Sequence, residues 1–133
     1  MPNAKMKHEK DPKQEILEQL GDISGYELND EVLIATYKRP EKTLGGIIIA
    51  QSNLNEDMFQ SKAGLVVKIG PNAYPPELMD VEGQTPPYIP VKLYDWVVIR
   101  PSDGWALEVN FVHCRHVHPK FIRSRTPAPG MVW

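Results

Sequence analysis

Thirteen prolines in 133 residues constrain this chain more than any other feature. Each removes a backbone donor and fixes φ, so prolines are kept out of helix interiors and central strands. Their spread argues against long helices and for turns, edges and loops. One short helix still fits between them. Asp11 suits an N-cap, Pro12 the first helical position, and Gln14 the place where a capping box wants an acceptor. Ile16, Leu17 and Leu20 share one face, and Gly21 ends the segment. Roughly nine residues make a helix too short to stand alone. Its apolar face must rest on its own body or on a neighbouring subunit.

From Glu31 onward the period changes to two. Val32, Ile34 and Thr36 point one way and Leu33, Ala35 and Tyr37 the other, which predicts a strand with both faces partly covered. Leu65 to Ile69 and Val91 to Ile99 are further strands. Pro101 to Gly104 is a turn. Trp105 to Val109 and Phe111 to Val117 form a hairpin around Asn110, and Phe121 to Arg125 is a last short strand. Several short strands with turn signals and one small helix predict an all-β barrel or sandwich. The expected organisation is an N-terminal extension over residues 1–22, a β-body over 23–125 and a C-terminal arm over 126–133. Residues 71–90 form a proline-rich insertion with aromatics Tyr74 and Tyr88, either a roof-like loop or a flat contact surface.

Residues 39–62 are the loop between the first two strands. Gly45 and Gly46 make it permissive, and Ile47, Ile48 and Ile49 follow as an apolar run with no alternation. Two readings stand: a peptide that docks into another protein's groove, or a short buried strand after a glycine turn. Ile16, Leu17, Leu20, Tyr74, Tyr88, Met131 and Trp133 are candidate interface anchors, the last two at the end of an arm whose prolines exclude it from a central strand.

Other functions find less footing. A net charge of −2 gives no global electrostatic case for nucleic-acid binding. The longest apolar runs are a few residues long, so no membrane span is expected. Met1 to Lys10 is lysine-rich, without a hydrophobic stretch behind it, and is expected to be a flexible tail rather than a secretory signal. Cys114 has no cysteine to pair with. Cys114, His116 and His118 alternate along one strand and are the candidate metal ligands, although a fourth is missing. No catalytic arrangement is indicated, and no cofactor is expected. Arg115, Arg123 and Arg125 form a modest basic cluster that suits a solvated or subunit-contact face.

With these segments in order, the chain resembles the GroES-type co-chaperonins. Leu28-Asn29-Asp30-Glu31-Val32-Leu33-Ile34 is similar to the family's opening strand. Lys42, Gly45, Gly46 and Ile47 to Ile49 match its mobile-loop signature. Gly64, Val66, Ile69 and Gly70 match the next strand, and Val91, Lys92, Asp95, Val97, Val98 and Ile99 a later one. The resemblance implies an irregular β-barrel that assembles with other copies of itself, and a loop whose tripeptide, here Ile47 to Ile49, docks on the apical groove of a GroEL-type chaperonin. The chain departs from the pattern where Tyr94 replaces the glycine usual before the strand aspartate, in its longer insertion, and in its terminal extensions. Those departures resemble GroES-like proteins of tailed bacteriophages. They lead to the expectation of a non-enzymatic head decoration or cement protein, bound to the major capsid protein at the virion surface after assembly in the host cytoplasm. The alternative is a viral co-chaperonin acting on a GroEL-type chaperonin.

Overall fold

The alternation over Val32–Thr36 is realised as a central strand buried along its whole length. The structure, a computed structural model, describes residues 11–38 and 61–131. Six strands form one antiparallel sheet: β1 (Val32–Thr36), β2 (Ala63–Ile69), β3 (Trp96–Val98), β4 (Trp105–Val109), β5 (Val112–Val117) and β6 (Ser124–Thr126). Their order is β4-β5-β1-β2-β3-β6, so β4 and β6 are the outer strands. With the short helix α1 (Pro12–Leu20), this is the expected GroES-like all-β fold.

Strand alternation gives the sheet two apolar faces. One carries Leu33, Ala35, Leu65, Val67, Trp96 and Cys114, and α1 closes it with Leu20 buried and Ile16 and Leu17 half-buried. The other carries Val32, Ile34, Val66, Val97 and Val117, roofed by Ala73 from the insertion, by Val91 just after it and by Ile122. Each fully buried Val, Leu or Ile contributes roughly 1.5–3 kcal/mol relative to an exposed one, so both covers are structural. Asp11 caps α1, its carboxylate accepting from Lys13 N at 3.2 Å, and Gly21 ends it at φ +63.

The insertion is fastened at its ends and open in its middle. Asn72 N donates to Asn29 O at 2.9 Å, and the Tyr74 hydroxyl donates to Ile89 O at 2.9 Å. Between them, after a one-turn helix at Pro76–Met79 begins, Leu78 and Val81 are exposed. It is thus a roof at its roots and a surface in its middle.

Two strands differ from the sequence expectation. Val91 to Ile99 was expected as one strand, but β3 begins only at Trp96 because residues 92–95 make a turn. Asp95 Oδ2 accepts from Lys92 N at 2.8 Å, and Tyr94 takes φ +70. This left-handed conformation is the one glycine adopts freely, which explains why glycine is usual there and what its replacement by tyrosine means locally. The final strand is Ser124–Thr126 rather than Phe121 to Arg125, since Pro119 opens a short 3-10 turn at Pro119–Phe121. Gly70 is required by a close approach, where an added Cβ would lie 2.3 Å from Asn29 O. Among the described residues, no helix is long and apolar enough to cross a membrane.

Candidate functional site

The register brings several features to one end of the sheet. There β1 ends with Thr36 opposite Gly64, β2 starts with Ala63 opposite Val98, and the β4–β5 hairpin turns between Val109 and Val112. The chain leaves this end after Tyr37 and returns at Ser61. Gly45, Gly46, Ile47, Ile48 and Ile49 lie in the segment between, outside the described residues.

The neck of that loop is firmly held. Tyr37 is 1% exposed, its N–H donates to Ala63 O at 3.0 Å, and its ring meets Trp96 edge-on at 5.9 Å. The Ser61 hydroxyl donates to Ala63 O at 3.1 Å and accepts from Ala63 N at 3.4 Å. Next to the neck, Thr36 Oγ1 and His113 Nδ1 share a 2.7 Å hydrogen bond. Burial, with Arg115 second, lowers the His113 pKa, so its ring favours the neutral form.

The candidate anchors divide. Leu20, with Ile16 and Leu17 beside it, packs on its own sheet. Fully buried, Leu20 offers no surface to a neighbour, which corrects its expected role as an interface anchor. Tyr74 rivets the insertion through its hydroxyl, whose pKa is pushed up to about 12 by burial. The half-buried Tyr88 ring stands edge-on to His118 at 5.4 Å. Met131 is exposed, and Trp133 lies outside the described residues.

The three alternating side chains do not converge on an ion. Cys114 is fully buried in the core, and burial pushes its thiol up to about 12. His116 is engaged by a carboxylate and a phenol, whereas His118 lies beyond β5 and its Nδ1 accepts from Lys120 N at 3.2 Å. Among the described residues, no group of three His, Cys, Asp or Glu is placed to hold a metal. The basic cluster also separates. Arg115 is 3% exposed and donates to the carbonyls of Pro101 and Arg100, while Arg123 lies 3.9 Å from Asp103.

Two features escaped the sequence reading. One is the chain Glu31–His116–Tyr26. Glu31 Oε1 lies 3.3 Å from His116 Nδ1, and the Tyr26 hydroxyl lies 2.6 Å from Nε2. A carboxylate only accepts, so Nδ1 donates to Glu31, while Nε2 and the Tyr26 hydroxyl share the second hydrogen bond. Trp105 stacks on the same imidazole at 4.5 Å. Contacts across some 90 residues of sequence have no local signal. The other is the hairpin turn, where Asn110 at φ +49 and Phe111 at φ +68 are both left-handed. An Asn between alternating runs was a signal for the first of these. Nothing local foretold the second.

Fold and site together define a GroES-like all-β fold whose chain leaves and re-enters the sheet at one pinned neck. The family described as the chaperonin 10 Kd subunit, Cpn10, matches residues 26–122, and the chain belongs to it. That span includes β1 to β5 and the loop, and leaves α1 and β6 outside. No curated protein matches the chain.

Proposed function

We propose that the protein is a co-chaperonin subunit: copies of it form a symmetric homo-oligomer whose loops dock in the apolar apical grooves of a GroEL-type chaperonin. The observation that carries this reading is the family match across residues 26–122, which contains the loop with Gly45, Gly46 and Ile47 to Ile49. The pinned neck supports it, because Tyr37 and Ser61 hold both ends of the segment to one end of the sheet. Burying each isoleucine on docking contributes roughly 1.5–3 kcal/mol before ordering costs, and repetition around an oligomer multiplies a weak single contact.

The head-decoration reading rested on the terminal extensions. One of them, α1, packs on its own subunit's sheet, so it lends no support to an arm that grips a capsid. The test is nucleotide-dependent binding to a GroEL-type chaperonin, measured together with native mass. Wild-type protein should bind as an oligomer, and Ile48→Asp should stay folded yet lose binding. Failure of the wild-type oligomer to bind, with abundant copies in purified virions, overturns the reading. An Ile48→Asp variant that unfolds makes the triplet core rather than a docking peptide.

A further inference from the structure

Phe111 is 89% exposed, the most exposed large apolar side chain among the described residues. It occupies the second position of a two-residue hairpin turn at φ +68, where glycine fits best and a bulky aromatic is strained. The ring gives the core nothing while its backbone holds an unfavourable conformation, a combination that points to work outside the fold.

The turn is also braced. The Asn110 side-chain amide donates to Leu20 O at 2.5 Å, and Gln19 Nε2 donates back to Asn110 O at 3.0 Å. Helix α1, which lies outside the family match, therefore fixes the direction in which Phe111 projects. The tip stands at the end of the sheet from which Lys38 leaves and to which Ser61 returns, tied there by the Thr36–His113 hydrogen bond two residues away. It does not lie along either outer strand, the edges through which two sheets would join.

We infer that Phe111 is a second, fixed contact for the same chaperonin, an apolar plug that enters a hydrophobic recess beside the groove taken by the loop. This inference rests on the co-chaperonin reading. A rigid contact next to a tethered one loses little freedom on binding, and the two together act as a bivalent attachment.

The test is Phe111→Gly, which deletes the ring and suits the turn. Its thermal midpoint should be unchanged or raised, and its native mass should equal wild type. Nucleotide-dependent binding to the chaperonin, read by biolayer interferometry, should weaken about tenfold or more. Phe111→Leu, which keeps apolar bulk, should recover most of it. Opposite movement of stability and binding is an outcome a merely structural role would not produce. Undiminished binding by Phe111→Gly overturns the inference and leaves the co-chaperonin reading standing. Loss of the oligomer overturns it too, by assigning Phe111 to a subunit contact. Absence of wild-type binding overturns both.

Discussion

Leu20→Ala measures how far α1 belongs to its own subunit. Leu20 is 1% exposed and sits in the cluster of Leu33, Ala35, Tyr37 and Leu65. Emptying so closed a site costs roughly 2.7–5 kcal/mol when the surroundings cannot collapse. Here they can relax in part, because α1 has only one fully buried side chain and is free to undock. The cost should therefore lie near the lower end, about 3 kcal/mol. For a chain of 133 residues each kcal/mol moves the midpoint by roughly 3–5 °C, so Tm should fall by about 10 °C. Urea unfolding followed by tryptophan fluorescence is the assay, with Trp96 in the affected cluster. Two protein concentrations about tenfold apart separate subunit stability from association. A loss below about 1 kcal/mol with an unchanged denaturant slope would mean that the helix does not rest on this sheet. The brace on Asn110 would then fail as an argument as well.

Two further predictions concern titratable groups. Cys114, fully buried with its thiol pushed up to about 12, should resist iodoacetamide near pH 8 while folded and react promptly in denaturant; rapid labelling of native protein, read by mass, refutes the burial. His113 has its folded pKa lowered from 6.5, first by burial and then by Arg115. Below that unfolded value the unfolded chain binds more protons, so stability should fall as pH drops from about 6.5 through the lowered folded value. Urea unfolding at about pH 7 and about pH 5 should show the slope, with His113→Gln reducing it; an unchanged slope in the variant assigns the effect elsewhere.

The alternation of β1 was readable because a side chain's face depends only on its own position in the strand. What covers each face was not, since α1 and the insertion reach the sheet through long-range contacts. Tyr94 shows the boundary well. The sequence marked it as a departure from a family glycine, yet only the backbone reveals a left-handed residue that ends the turn and delays β3 to Trp96. The three weak metal candidates stay apart for a related reason: spacing of two aligns Cys114 with His116, but burial and local partners decide what each can reach. The hairpin around Asn110 was legible from turn chemistry, and the conformation of Phe111 was not. The loop isoleucines fall outside the described residues, so their placement rests on the family pattern.

The hydrogen bond from Asn110 to Leu20 joins positions 90 residues apart, and this sets an order of events as the chain leaves the ribosome. A helix of nine residues hardly persists in water, and the hairpin that receives it emerges only after about 5–20 s of further synthesis. Until then the C-terminal end of α1 lacks the brace that Asn110 supplies, although its apolar face can already meet Leu33, Ala35 and Leu65. A helix made early is thus secured late, and the arrival of the Asn110 turn decides when.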